Sequence, residues 1–182
     1  MGRSPTKEGF TKEMKEEIKE KEKELEILKI VEEDARISDT EIAKMVGMEE
    51  NEVKEIIAEL ERKGIIRGYK AVINREKAGI EIVQALIDIK VSPERNTGYD
   101  AIAERISRFP EVRSVRLVSG EYDLSVLVSG KTMHEVAYFV AEKIAPLEQV
   151  RNTVTHFLLK TYKENGEIYG EEEKGKRLAV TL

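Results

Sequence analysis

The chain has 182 residues, with 31 Lys and Arg against 36 Asp and Glu, and a formal charge of −5; 40% is hydrophobic and 37% charged. That length holds one domain or two small ones, and the apolar share is enough for a core, which excludes a wholly disordered chain. The absence of Cys excludes a disulfide framework, a thiolate metal site and a cysteine nucleophile. Two His exclude a His-rich metal site, and no apolar run reaches the ~20 residues of a membrane helix.

Residues 11–24 are almost wholly Lys and Glu, many of them three or four apart, the spacing of a solvated helix. With only Met14 and Ile18 to bury, residues 1–23 read as a frayed, charged helical extension. From Leu25 the pattern changes: Leu25, Leu28 and Val31 fall at helical spacing, widened by Ile27 and Ile30. Ser38 stands three residues before Glu41, the spacing of a capping box, and opens a second helix with Ile42, Ala43 and Val46 on its apolar face. Gly47 supplies a tight turn. A third helix is predicted over about Glu49 to Lys63, with Val53, Ile56, Ile57 and Leu60 on one side and a left-handed cap at Gly64. The run from Ile65 to Ile73 reads as a strand or short hairpin. Three helices, the last two joined by a glycine turn, followed by a β-element describe a winged helix-turn-helix over residues 24–75.

Residues 76–163 follow a different grammar. Gly79–Val91 is predicted as a strand with Val83, Ala85, Ile87, Ile89 and Val91 on one face. Thr97–Phe109 is a helix with Tyr99, Ile102, Ile106 and Phe109 in one stripe. Val112–Ser119 and Tyr122–Ser129 are strands joined by Gly120-Glu121, which suits a two-residue type II′ turn. Thr132 and Glu135 form a second capping box that opens a helix to Ile144, with Met133, Val136, Ala137, Val140 and Ile144 facing inward. Thr153–Tyr162 is the last strand. The order βαββαβ is the ferredoxin-like arrangement, so the fold class is α+β. Ile82 and Leu86, with Val154 and Leu158 (or Phe157 and Leu159), leave the second sheet face too apolar for water. That predicts a homodimer packed sheet to sheet. Asn165-Gly166 is a turn signal within a tail, residues 164–182, whose Leu178, Val180 and Leu182 alternate like an added edge strand.

These pieces carry a resemblance over about Glu24 to Tyr162. Leu25-Glu26-Ile27-Leu28, Ser38…Glu41-Ile42-Ala43…Gly47-Met48, and Val53…Leu60-Glu61-Arg62-Lys63-Gly64-Ile65-Ile66-Arg67-Gly68-Tyr69 come in order. Val112…Val115, Ser119-Gly120-Glu121-Tyr122-Asp123-Leu124 and Thr153…Thr155 follow. In this order they resemble the leucine-responsive regulator/AsnC family of transcription regulators. The resemblance implies a DNA-binding N-terminal unit and a C-terminal unit that dimerises, assembles to higher oligomers and binds a small effector, usually an amino acid, near the Gly-x-Tyr-Asp turn.

A recognition helix presents its first residues to base edges in the major groove. Here they are Glu49, Glu50, Asn51, Glu52, Lys54 and Glu55. Asn51 can pair with adenine and a Glu with cytosine N4. Four carboxylates oppose the phosphate backbone, however, and family members usually carry Ser or Thr here and Arg where Glu55 stands. Candidate DNA contacts are Lys44, Asn51, Lys54, Arg67 and Lys70. Candidate effector contacts are Gly120, for close approach, Tyr122, Asp123 as the anion for an α-ammonium group, and the hydroxyls of Thr153 and Thr155. Arg113 and Arg116 could hold an α-carboxylate.

His156 reads as structural and His134 as exposed. No Gly-rich phosphate loop or Ser-His-Asp arrangement appears, so no cofactor and no catalytic residue are expected. The N-terminus lacks the pattern of a signal peptide, which suits a cytoplasmic protein. Two further readings accompany the regulator. One is an enzyme similar to the siroheme decarboxylases, which share both domains. The other is a regulator partner that does not itself bind DNA and acts by hetero-assembly, a reading the acidic third helix favours.

Overall fold

The computed structural model describes residues 12–93 and 98–169, and the chain divides between Ala71 and Val72 into two units, each folded around its own core. The first unit opens with α1 (Lys12–Glu33), followed by α2 (Asp39–Val46) and α3 (Glu50–Arg62). α1 runs unbroken for 22 residues, so from Lys12 the charged extension and the first helix of the unit are one element. Its buried centre is Ile27; Leu25, expected on the stripe, is 52% exposed because it lies two positions round the helix from Ile27.

The Ser38 box forms as expected: Ser38 Oγ accepts from the Glu41 amide at 3.3 Å while the Glu41 carboxylate accepts from the Ser38 amide at 3.2 Å. Gly47 and Gly64 adopt the left-handed backbone at φ 65° and 68°. Gly64 closes α3, with the Ile65 amide returning to Leu60 O and the Gly64 amide to Glu61 O, both at 2.9 Å. Ile27, Ile42, Ala43 and Val53 form the core of this unit. The segment from Ile65 to Ile73 is not a strand. Among the described residues no strand lies beside it in that unit to supply a ladder, and an unpaired segment gains nothing from the β conformation.

The second unit holds β1 (Val83–Val91), α4 (Asp100–Ser107), β2 (Val112–Leu117), β3 (Leu124–Gly130), α5 (Met133–Phe139) running into a π-turn (Val140–Ile144), and β4 (Val150–Phe157). The sheet is antiparallel throughout with order β2-β3-β1-β4, the ferredoxin-like topology. Ala85, Ile87 and Ile89 alternate into a core shared with Ile102 and Ile106 of α4, Leu124, Val126 and Val128 of β3, and Val136, Phe139 and Ile144. β1 begins four residues later than expected, because Val83 is where its pairing with Gly130 starts. β4 ends at Phe157 rather than Tyr162, after a last bond from the Leu158 amide to Gln84 O.

Other expectations are corrected. Leu117 pairs with Leu124 and the Val118 amide bonds Asp123 O at 2.9 Å, so residues 119–122 form a four-residue loop, not a two-residue type II′ turn. Gly120 stands at φ 159°, far from the φ near +60° that such a turn needs at its first central residue. Thr132 Oγ1 caps the Glu135 amide at 3.1 Å, but the Glu135 carboxylate takes the Lys131 amide at 2.7 Å, so the second box is only half formed. Met133 and Ala137 are exposed, and Phe139 takes the inward place, because the buried stripe runs through Val136, Phe139, Val140 and Ile144.

Leu86 lies opposite Leu127 on one side and His156 on the other, and Asp88 opposite Ser125 and Val154. These residues share the sheet face away from the helices. Phe157 pairs with Ala85 and packs into the core, so Val154 and Leu158, rather than Phe157 and Leu159, belong to the open face. Asn165 and Gly166, both at positive φ, close a hairpin of β5 (Lys163–Glu164) and β6 (Glu167–Ile168), the type I′ signature. The alternating run from Arg177 to Leu182 lies outside the described residues.

Candidate nucleic-acid interface and effector turn

α3 packs Val53 and Leu60 inward and turns Asn51, Lys54, Glu55 and Ala58 to solvent. Asn51, Glu55 and Ala58 follow helical spacing, so they form one outward stripe. The acidic start of the helix is used locally. The Glu52 carboxylate accepts from the Glu49 amide at 3.0 Å. Glu50 accepts from Thr40 Oγ1 of α2 at 2.7 Å and forms an ion pair with Lys54 one turn on. Hydrogen bonding from Lys54, then Thr40, holds the Glu50 carboxyl below its ordinary value, and the same pair raises Lys54. Two of the four carboxylates, those of Glu50 and Glu52, therefore cap or brace the helix, where its N-terminal dipole favours anions.

The cations sort into two groups. Lys54 is occupied by Glu50, and Arg62 and Lys63 both pair with Glu59. Lys44, at the end of α2, and Arg67 and Lys70, beyond α3, are exposed and have no ion-pair partner among the described residues. The Tyr69 hydroxyl donates to Glu61 at 2.8 Å, fastening the segment that carries Arg67 and Lys70 to α3. Burial, then Glu61, raises the Tyr69 hydroxyl above its ordinary value. Sequence spacing gave no signal for Thr40, Glu50 or Tyr69 as bracing groups, because each bond joins separate elements or reverses the role of a charge.

At the hairpin, Asp123 is 14% exposed and held by its own chain. Its Oδ2 accepts from the Val91 amide at 2.8 Å; its Oδ1 faces Lys90 Nζ at 3.3 Å and the Tyr99 hydroxyl at 3.4 Å. The Val91 amide is the main reason its carboxyl stays below the ordinary aspartate value; burial opposes this, and Lys90 and Tyr99 add to it. Gly120 is exposed and Tyr122 half-buried beside it. Thr153 lies opposite Ile89 and Thr155 opposite Ile87 on β4, so β1 separates both from the turn, and the chain does not bring them to Asp123. Arg116 donates to Ser114 Oγ at 2.9 Å and Arg113 to Ser129 Oγ at 2.6 Å. His156 lies 3.3 Å from Asp88 on the open sheet face. Among the described residues no cluster of three or more His, Asp or Glu could hold a metal ion, and no helix is long and apolar enough to cross a membrane.

Comparisons with known proteins agree with both units. A family model for winged helix-turn-helix DNA-binding matches residues 20–67, and one for the Lrp/AsnC ligand binding domain matches residues 84–168. The HTH-type transcriptional regulator YugG of Bacillus subtilis is 48% identical over 161 residues, covering 88% of this chain and 97% of its own length. Two solved structures share the fold. One is a transcriptional regulator of Neisseria meningitidis in complex with L-Met, with TM-score 0.62 and 23% identity over 78% of this chain and 91% of its own. The other is AsnC of E. coli, with TM-score 0.61 and 19% identity over 79% and 94%. The chain belongs to the Lrp/AsnC family of DNA-binding transcription regulators.

Proposed function

We propose that this regulator binds duplex DNA as a homodimer or higher oligomer, in the cytoplasm, through α3 and the segment after it, and that an amino acid modulates binding. It acts as a regulator rather than as an enzyme. The observation that carries the reading is the outward stripe of α3, flanked by unpaired cations, in one unit, joined to a family ligand-binding domain in the other. Asn51 reads base edges, with Lys44, Arg67 and Lys70 on phosphates. Lys54 joins them only by leaving Glu50.

The open sheet face supports the dimer. Leu86, Leu127 and Val154 are half-buried and Leu158 is 44% exposed, an apolar row that water serves poorly. The amino acid effector rests on the turn at Gly120, Tyr122 and Asp123, and on the L-Met bound by the Neisseria relative. The contacts of Lys90 and Tyr99 to Asp123 are long, and Lys90 is 45% exposed. An α-ammonium group takes the place of Lys90 beside the carboxylate. An effector shifts binding only if it favours one assembly or DNA-bound state over another.

The test is salt-dependent binding of the full chain to a fluorescent fragment carrying the promoter of its own gene, with each amino acid added in turn. With three free cations on each of two protomers, log affinity should fall against log salt with a slope of about −5. One amino acid should shift the curve, and sedimentation should give twice the chain mass or a multiple of it. Absence of binding at low salt, with and without amino acids, would overturn the DNA-binding reading and revive hetero-assembly.

A further inference from the structure

A cavity of about 450 Å³ opens at the end of the sheet away from the hairpin turn. Its walls come from the start of β2, the end of β3, α5 and the π-turn. Leu124 to Gly130 spans six residue steps, so at ~3.3 Å per residue the cavity is about 20 Å from the turn. Its volume falls in the range of small-molecule sites. Ile82, Val128, Val136 and Phe139 give it an apolar floor, and Tyr138 lines it.

Two irregularities of the fold flank this cavity. The first is in β2: Val112 pairs with Val128 and Ser114 with Leu127, so Arg113 is an extra residue that the ladder skips. Such a bulge re-aims a side chain. The guanidinium is then set by its Nε–H, which donates to Ser129 Oγ at 2.6 Å; Ser129 is 8% exposed. Its other donors have no carboxylate partner among the described residues. The second irregularity is the π-turn directly after Phe139, closed by the Ala145 amide to Val140 O at 2.8 Å, which places Lys143 on the rim. Single π-turns of this kind recur at functional sites. Gly130 lets the end of β3 pack close under α5: a Cβ there would meet Val136 Cγ2 at 3.1 Å.

From this geometry we infer that the cavity is a second ligand site, distinct from the hairpin turn, for a small carboxylate with a branched or aromatic body. Arg113 takes the carboxylate with its free fork, and the apolar floor takes the body. Lys131 and Lys143 add positive charge at the rim. Glu111 and Glu135 line the cavity too; the Glu135 carboxylate is taken by the Lys131 amide, while Glu111 gives an α-ammonium group an anion to meet, so the same site serves an amino acid or the 2-oxo acid derived from it.

Isothermal titration of the full chain with phenylpyruvate and with L-phenylalanine tests this. Binding of either probe should weaken about tenfold or more in Arg113→Ala, the scale of hydrogen bonds to a charged group, with only partial rescue in Arg113→Lys, which keeps charge but not the fork. Arg113 is exposed but its Nε–H holds the Ser129 hydroxyl, so both variants should stay folded, with a thermal midpoint at most a few degrees below the parent. Phenylpyruvate binding assigns recognition to the carboxylate alone; binding confined to L-phenylalanine, still dependent on Arg113, adds the ammonium to what the site reads. No binding of either probe at millimolar concentration, or binding indifferent to both Arg113 variants, would overturn the inference. So would binding lost in Asp123→Asn but kept in Arg113→Ala, because the probe would then sit at the turn. DNA binding without ligand is a separate readout, so failure here leaves the regulator assignment standing.

Discussion

The two ends of the four-stranded sheet handle charge in opposite ways. At the hairpin end Asp123 is engaged by its own chain, through Val91, Lys90 and Tyr99. At the far end Arg113 uses one donor on Ser129 and keeps the rest. The residue that the Gly-x-Tyr-Asp motif singles out is thus a brace first and a ligand contact second, while the charge with spare capacity lies at the opposite end of the sheet. The DNA-binding unit repeats the contrast: Lys54 is held by Glu50, and Arg67 and Lys70 are not.

The largest expected effect separates the two sheet ends. Asp123→Ala leaves the Val91 amide and Tyr99 without their acceptor, and urea unfolding should show a loss of about 2–3 kcal/mol, the scale of hydrogen bonds to a charged group. Arg113→Ala gives up one bond, to the Ser129 hydroxyl, and should cost about 1 kcal/mol or less. Equal losses would erase the contrast.

A pH series sharpens it. The folded-state pKa of Asp123 lies below its unfolded value, so its contribution is fully present above the unfolded value and is lost as pH falls through the folded one. Asn does not titrate. The gap in thermal midpoint between the parent and Asp123→Asn should therefore be constant from neutral pH down to about pH 4 and close below it. A gap that persists at pH 2 would mean that shape, not charge, makes Asp123 stabilising. Next in size, Gly130→Ala forces its Cβ against Val136 and should cost about 1 kcal/mol in the same unfolding assay.

Much of the fold was legible in the chain because it is encoded locally. The Ser38–Glu41 box, the left-handed Gly64, the Asn165-Gly166 hairpin and the alternation from Val83 to Val91 each depend on residues a few positions apart. The site was less legible because its decisive bonds span the chain. Asp123 meets residues 24 to 33 positions away, and Thr40 meets Glu50 across two helices. Arg113 and the π-turn are defined by register, which composition does not carry. The loop at Gly120 is not legible in the same way, because a Gly-x pair fits a two-residue turn equally well until the pairing of Leu117 with Leu124 is known.

The smallest expected effect asks whether an occupied charge in the DNA-binding unit can be released. Glu50→Gln keeps an acceptor for the Thr40 hydroxyl but removes the anion beside Lys54. Lys54 then has no ion-pair partner on its helix turn and can reach a phosphate. The salt slope of DNA binding should steepen by about one for each recognition helix engaged, and affinity at low salt should rise several-fold, because each neutralised phosphate releases counterions. In Glu50→Gln plus Lys54→Ala the slope should return to the parental value. If Glu50→Gln leaves the slope unchanged, Lys54 either contacts phosphate despite its partner or faces away from DNA. Lys54→Ala alone tells these apart: it flattens the parental slope in the first case and leaves it unaltered in the second.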